Sequence, residues 1–314
     1  MNYLIEDNSE IENSFPKLAI ILVNWFSYEV SRNCLLSLRE LDYGNFHVIV
    51  VDNASTDNSP DQLALEFQEA TFLRNKENLG FTGGNNTGIK HALEQGFELI
   101  MLLNNDTVVT PDFANILVHS LMSSNNIGAV QPKIRFNRNR NKIWNAGSRF
   151  NHFFGTSRPI GLNQVDKGQF DKRKFIPWIT GCCFLLKAET VNEIGLLDQK
   201  FFCYYEDTDW SFKIRKLGLK LLYEPQALIY HEVGKSNDNS VNQTKEGRLS
   251  PFVHYVTLRN HIFLVRRYKK LINPIGGWLN QFFKVATYLV YFLARGRFEK
   301  FKAVIRGVKD GLTK

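Results

Sequence analysis

The sequence predicts an α/β fold, with a mostly parallel sheet between helices, followed by a C-terminal amphipathic helical tail. Three observations carry that prediction. Between residues 18 and 130, short apolar runs ("LAIILVNW", "HVIVVDN", "ELIMLLNND") alternate with helical patterns. Continuous apolar strands of this kind need cover on both faces, which parallel crossovers provide. The 314 residues are 44% hydrophobic and 22% charged, enough apolar content for a real core and too much for a disordered chain. The net charge of +8 is uneven: residues 259–314 hold 13 Lys or Arg against Glu299 and Asp310, a net of +11, leaving −3 on the first 258. The basicity belongs to the tail, and so does its partner.

The expected organisation is a polar extension (1–17), an α/β domain (18–258) and a basic amphipathic tail (259–314). The opening "MNYLIEDNSEIENSFPK" is acidic and has no apolar h-region, so it is not expected to be a signal peptide. After the first strand, Val30, Cys34, Leu35, Leu38 and Leu41 share a helix face. After the second, "SPDQ" spells a capping box with Ser59 as N-cap, Pro60 at the first helical position and Gln62 reaching back. Thr110-Pro111 should start a helix in the same way. Residues 131–175 are irregular and read as a long connection with a possible hairpin. "WITGCCFLLK" then reads as a strand, "AETVNEIG" as a short helix and "DTDWSFKIRKLG" as a helix closed by Gly218. "KLLYEPQALIYHEVG" reads as two short strands, and the chain is helical from Pro251 almost to its end. Cys34, Cys182, Cys183 and Cys203 lack metal-ligand spacing and read as reduced structural thiols, which suits the cytosol.

Four polar clusters interrupt the pattern. "VDNASTDNS" releases Asp52 from a strand into a turn, either a plain Asx-turn or a ligand contact. "NLGFTGGNNTG" feeds a helix N-terminus with glycines that let main-chain N–H groups approach an anion, though without P-loop spacing. "LLNNDT" ends a buried strand on Asn104, Asn105 and Asp106, which is either a turn or a seat for a cation against phosphate. "FFCYYEDTDW" crowds Glu206, Asp207 and Asp209 at a helix start. Capping and the helix dipole explain one or two of them; mutual repulsion of three is tolerated more readily where one serves as a base. His231 closes a strand and becomes a ligand candidate if the fold brings it to Asp106.

Taken in order, "VNW", "VDNASTD", "NLGFTGGNNTGI", "LLNNDT", "TGCCFLLK", "FFCYYEDTDWSFKIRKLG" and "HEVGKS" resemble family-2 glycosyltransferases of the GT-A fold, most closely the rhamnosyltransferase-like branch. The resemblance covers about residues 18–268. It implies that Asp52 contacts the nucleotide base, while Asn78, Gly80, Gly84 and Asn85 frame the nucleotide. The family's D-x-D motif falls on Asn104-Asn105-Asp106, so Asp106 would hold Mg²⁺ or Mn²⁺ against the donor diphosphate. Asn104 stands where many relatives have Asp, and His231 would supply the missing coordination. The "ED" pair maps to Glu206-Asp207, with Asp207 as general base and Asp209 as the alternative. A single displacement with inversion at the anomeric carbon follows. The expected donor is dTDP-rhamnose, or a UDP-hexose by the same nucleotide contacts; the expected acceptor is lipid-linked or a polysaccharide.

The tail shows an apolar stripe (Ile275, Trp278, Leu279, Phe282, Phe283, Ala286, Leu289, Val290, Leu293) and a second (Phe298, Phe301, Ile305, Val308) flanked by Lys300, Lys302, Arg306 and Lys309. Its uncharged stretch is too short to span a bilayer. Basic amphipathic helices lie in the interface of anionic membranes. Peripheral attachment to the cytoplasmic face of the plasma membrane is therefore expected. The bland alternative is a first stripe packed on the catalytic domain. Nucleic acid is not expected as a partner, because no binding motif accompanies the charge. Two rival classes remain. A sugar nucleotidyltransferase would need a phosphate loop where "VNWFSYE" stands, and a non-catalytic membrane adaptor would leave Asp106 and Asp207 without a role.

Overall fold

The computed structural model describes residues 15–232 and 249–314. Most of the predicted N-terminal extension and the "VGKS" of the last motif lie outside the described residues. In chain order the first elements are β1 (Leu18–Asn24), α1 (Tyr28–Arg39), β2 (Phe46–Asp52), α2 (Ser59–Glu66), β3 (Thr71–Arg74), α3 (Gly80–Glu94) and β4 (Leu99–Leu103). Then come β5 (Thr107–Val109), α4 (Phe113–Met122), β6 (Ile127–Phe136), β7 (Ile143–Asn145), β8 (Ser148–Asn151), β9 (Thr156–Pro159), β10 (Lys174–Ile176) and β11 (Cys183–Lys187). The remainder is α5 (Ala188–Ile194), α6 (Glu206–Lys216), β12 (Lys220–His231), α7 (Pro251–Arg267), α8 (Pro274–Ala294) and α9 (Phe298–Thr313).

The main sheet runs β10-β12-β6-β11-β4-β1-β2-β3. β1 pairs in parallel with both β2 and β4, with Asn24 opposite Asp52 at the shared C-terminal edge. β11 is antiparallel to both β4 and β6 and forms the seam to the parallel pair β6–β12. One face of the sheet buries Cys34, Leu35 and Leu38 of α1 with Leu63 of α2 and Leu117 of α4. The other buries Ile89 of α3 with Trp210 and Ile214 of α6. All four cysteines are free, and burial pushes the Cys34 and Cys203 thiols up to about 12.

Several local expectations are corrected. The capping box does not form: Asn58 precedes α2, and the Ser59 hydroxyl donates to Asp57 Oδ1 at 2.6 Å. Ser59 is the first helical residue and not the N-cap, so its hydroxyl is not placed to accept from the N–H groups of the first turn. α4 starts at Phe113 after Asp112, two residues beyond Thr110-Pro111, and the Thr110 hydroxyl is held by Asp112 Oδ1 at 2.8 Å. The supposed connection at 131–136 is instead half of β6, a central strand. Its Gln131 and Lys133 disguise it, because their polar ends find buried partners in Asn145 and Asp166, with the exposed Asp171 also on Lys133. The hairpin expected beyond it is present as β8–β9. The two short strands expected at 220–231 are one strand, β12, which bulges between Glu224 and Leu228 where it passes Pro132 of β6. Proline has no N–H to give a ladder.

The glycines of "NLGFTGGNNTG" do not form a flexible loop ahead of a helix; they lie inside α3. A Cβ on Gly84 would meet Val23 Cγ1 at 2.8 Å, and one on Gly88 would meet Ile21 Cγ2 at 2.5 Å. They let the helix lie against β1, so their first use is packing rather than phosphate contact.

The boundary drawn at residue 258 falls inside α7. Phe212 of α6 packs with Leu264, Val265 and Tyr268 of α7. Leu258, Phe292 and Val304 join α7, α8 and α9 in a further small core. The tail is thus fastened to the sheet domain.

Candidate active site

The ends of β1, β2 and β4 meet at the C-terminal edge of the parallel half, and a buried chain of polar side chains joins them through Ser31 of α1. Asn105 Nδ2 donates to Ser31 Oγ at 2.7 Å, Ser31 Oγ donates to Asn24 Oδ1 at 2.8 Å, and Asn24 Nδ2 donates to Asp52 Oδ1 at 3.0 Å. Asp52 Oδ2 also accepts the Ser55 N–H at 3.0 Å, which forms the Asx-turn. The turn fixes the Asp52 carboxylate at the strand end. Such polar groups inside an apolar core persist because each finds a partner.

Asn53 extends this network. Its amide donates to Asn78 Oδ1 at 2.9 Å and to the Gly80 carbonyl at 3.0 Å, while its oxygen accepts from Asn75 Nδ2 and Leu79 N–H. Asn78 and Gly80 are thereby held beside Asp52. Gly80 has φ +70°, and a Cβ there would strike the Phe202 carbonyl at 2.5 Å. Gly84 is turned to Val23, and Asn85 donates to the Phe81 carbonyl one helical turn back. These two are spoken for by α3 itself.

At the end of β4, Asn104 N–H donates to the Cys182 carbonyl at 2.9 Å, which ties the motif to the approach of β11. Asp106 is buried, and His231 at the end of β12 brings Nε2 to 2.9 Å from Asp106 Oδ1. β5 makes this possible: Thr107 pairs with His231 across an antiparallel ladder. Trp144 stands edge-on to the imidazole at 4.5 Å. Among the described residues, no group of three or more His, Cys, Asp or Glu could by itself hold a metal ion.

The three acids of α6 separate cleanly. Glu206 is buried and its Oε2 has no hydrogen-bond partner. Burial pushes its carboxyl well above the usual carboxylate range, with the charge of Asp207 adding to the effect. Asp207 is half-buried; its Oδ2 accepts the Gly181 N–H at 3.0 Å and its Oδ1 the Thr208 N–H at 2.6 Å. Burial raises this carboxyl too, and those N–H groups offset only part of the rise. Asp207 thus lies one residue from the Cys182–Asn104 link. Asp209, the alternative base, is corrected to a structural role. It is fully buried and bound by Arg267 at 2.8 Å, Lys213 at 3.2 Å and the Tyr268 hydroxyl at 2.7 Å.

The loop before these acids is strained. Phe202, Tyr204 and Tyr205 all have φ between 63° and 74°, unusual for bulky residues. Asn260 of α7 restrains it, donating to the carbonyls of Phe201, Cys203 and Tyr204 at 2.8 Å each, and Arg259 donates to those of Lys200 and Phe201. Asn24, Ser31, Asn53 and Asn260 escaped the sequence reading. The first three could have been flagged by their nearness to "VNW" and Asp52. Asn260, on a helix assigned to the tail, carried no signal.

The fold is the GT-A fold. Among solved structures, the chain resembles a mannosyltransferase, PcManGT, from Pyrobaculum calidifontis in complex with GDP-Man and Mn2+ (TM-score 0.58, 15% identity, 95% of this chain and 87% of that one). It also resembles GalNAc-T7 with UDP, GalNAc and Mn2+ (TM-score 0.57, 16% identity, 69% of this chain and 44% of that one). The model of glycosyl transferase family 2 matches residues 19–195, and the chain belongs to that family. Its relatives include the low-salt glycan biosynthesis hexosyltransferase Agl10 of Haloferax volcanii, 25% identical over 70% of this chain and 69% of that one. The dTDP-rhamnosyl transferase RfbF of Shigella flexneri is 23% identical over 90% of this chain and 91% of that one.

Proposed function

We propose that the chain is an inverting, divalent-cation-dependent glycosyltransferase. It moves a sugar, rhamnose from dTDP-rhamnose as the preferred donor, to a lipid-linked or polysaccharide acceptor at the cytoplasmic membrane face. The observation that carries the reading is the hydrogen-bonded chain from Asp52 through Asn24 and Ser31 to Asn105, the neighbour of Asp106 in sequence, with Asp207 bonded to Gly181 beside the Cys182–Asn104 link. The relatedness to RfbF over nearly the whole chain supports the donor.

Asp52 and the Asn78–Gly80 turn bind the nucleotide. Asp106 and His231, whose carboxylate and imidazole nitrogen stand 2.9 Å apart at the strand ends, would hold the divalent cation. Such a cation would stabilise the departing nucleotide diphosphate. Asp207 takes the proton from the attacking acceptor hydroxyl, a step contributing roughly 10²–10⁴-fold in rate. Burial raises the Glu206 carboxyl well above the usual range, which favours its neutral form beside Asp207.

The test is hydrolysis and transfer assayed over a panel of dTDP-, UDP- and GDP-sugars, with and without Mn²⁺. Turnover of dTDP-rhamnose should exceed the others, and Asp106→Ala should remove its metal dependence while the melting curve stays cooperative. Activity of Asp106→Ala with an unchanged Mn²⁺ titration would overturn the cation assignment.

A further inference from the structure

His261 of α7 is 1% exposed and stands where α7, α8 and the β8–β9 hairpin meet. Its Nδ1 lies 2.9 Å from Gln281 Oε1 of α8, and its Nε2 lies 3.3 Å from the Phe154 carbonyl at the hairpin tip. Gln281 is buried too, and its Nε2 donates to the Leu258 carbonyl of α7 at 3.2 Å. Four groups thus form one chain: the Leu258 carbonyl, the Gln281 amide, the His261 imidazole and the Phe154 carbonyl.

This chain is one hydrogen short. The carbonyls at its two ends only accept. The amide offers one donor side and one acceptor side, and a neutral imidazole does the same. Three contacts need three hydrogens, and the neutral chain can direct only two. With the hydrogen on Nδ1, Nε2 turns a lone pair to the Phe154 carbonyl. With it on Nε2, Nδ1 turns a lone pair to Gln281 Oε1. Turning the amide over moves the mismatch to the Leu258 carbonyl without removing it. One further proton on His261 makes both ring nitrogens donors and completes all three contacts.

The surroundings oppose that proton. Burial holds the imidazole below the usual histidine range, and Lys284 of α8 adds to the effect. His261 also borders a cleft lined by Lys284 and, from the hairpin, by Arg149 and Arg158; no carboxylate lines it. The Tyr205 ring lies 5.9 Å away, its hydroxyl pushed up to about 12 by burial. On the hairpin, His152 is engaged elsewhere, with Nδ1 2.9 Å from the Leu271 carbonyl. The neutral form is therefore favoured at pH 7, with one contact of the chain unmade. The tip is nevertheless already seated: Gly155 has φ +67°, and a Cβ there would meet Ile272 Cγ2 at 2.9 Å. Closing the last contact tightens an existing fit and needs no rearrangement.

We propose that His261 is a proton-operated clasp, which on taking up one proton fastens the β8–β9 hairpin tip to α7 and α8 through the Phe154 carbonyl. The clasp needs neither donor nor cation, so it stands or fails apart from the glycosyltransferase reading.

The test follows the imidazole nitrogens of the full chain by NMR from about pH 8 to about pH 4.5, with His261→Gln assigning the resonance. His261 should pass from neutral imidazole to imidazolium with a midpoint below about 6.5. Amide hydrogen exchange at Phe154 and Gly155, corrected for the intrinsic effect of pH, should slow by about tenfold across the same midpoint, as a charge-assisted hydrogen bond warrants. Global stability moves the other way. The folded-state pKa is depressed, so the unfolded chain takes the proton first, and stability falls as pH drops from the ordinary histidine value through the folded one. Core amides should thus exchange faster while the tip exchanges more slowly, a divergence that general loosening does not produce. Gln281→Glu should raise the midpoint, because a carboxylate beside Nδ1 favours the imidazolium. The wild-type titration carries the test even if that variant fails to fold. His261 staying neutral while the chain remains folded overturns the clasp. So does protonation without slower exchange at the tip, or slowing that persists in His261→Gln.

Discussion

Asp207 and Asp209 stand two positions apart on α6, so their side chains leave the helix about 200° apart. One stays at the sheet edge beside Gly181; the other turns into Arg267, Lys213 and Tyr268. Different losses follow from the same chemical change. Asp207→Asn should leave nucleotide binding intact and lower transfer by roughly 10²–10⁴-fold, seen in kcat rather than in donor KM. Asp209→Asn should lower the free energy of unfolding by roughly 2 kcal/mol, less than a wholly buried pair because Arg267 is a third exposed. Urea titration reads the second effect, and a large kcat loss without it would exchange the roles. Glu206 adds a signature in pH. Its folded-state pKa is raised, so the native state retains a proton that the unfolded chain releases. That contribution to stability is complete below the ordinary glutamate pKa and is lost as pH rises through the folded value. Above about pH 5, the wild-type melting temperature should therefore fall more steeply with pH than that of Glu206→Gln. Parallel curves would show that Glu206 is ionised in the native state.

At the scale of elements, the presentation of the acids depends on a loop that does not favour its own conformation. Left-handed backbone at three bulky residues costs about 1–3 kcal/mol at each, and the amide of Asn260 restrains it through three carbonyls. Asn260→Ala leaves those carbonyls short of a donor and releases the loop. Transfer should slow by about tenfold to hundredfold with donor affinity little changed, because only the acid side of the site shifts. Limited proteolysis should find residues 200–205 more readily cut in this variant. Equal kcat with equal protease resistance would reduce Asn260 to ordinary packing. A helix of the supposed tail is thus a working part of the catalytic domain.

On the scale of the molecule, α8 docks through Phe292 and turns most of the predicted stripe outward. Gly276, Gly277 and Gln281 face the protein, while Ile275 and Val290 are 70% exposed and Phe282 and Phe283 are 67% and 63% exposed. The bland expectation, a stripe packed on the domain, is not what the structure holds. No described helix is long and apolar enough to cross a membrane; the membrane attachment proposed for the chain would use this exposed stripe. Phe282→Asp/Phe283→Asp should abolish co-sedimentation with anionic vesicles at little cost to the melting temperature. Added salt should weaken wild-type binding without removing it. Sedimentation of the variant at the wild-type level would place the anchor elsewhere. Deleting residues 274–314 is the poorer experiment, because it strips Phe292 and Val304 from Leu258.

The parallel strands, their covering helices and the ends on Asp52 and Asp106 were legible in the chain, because apolar runs and the polar residues that end them are local signals. So was the outward stripe of α8 as a pattern, though not the direction it faces. β6 was hidden because Gln131, Pro132 and Lys133 look like loop until Asn145, Asp166 and the bulge in β12 supply partners from elsewhere. The glycines of α3 read equally well as a phosphate cradle or a packing surface, and only the nearness of Val23 and Ile21 separates the two. The pairing of His231 with Asp106, the withdrawal of Asp209 into ion pairs and the hold of Asn260 on the strained loop span 50 residues or more in sequence. Periodicity records which side of an element is apolar; which distant partner a polar side chain meets is set by how the elements pack, and the chemistry of this site lies in those meetings.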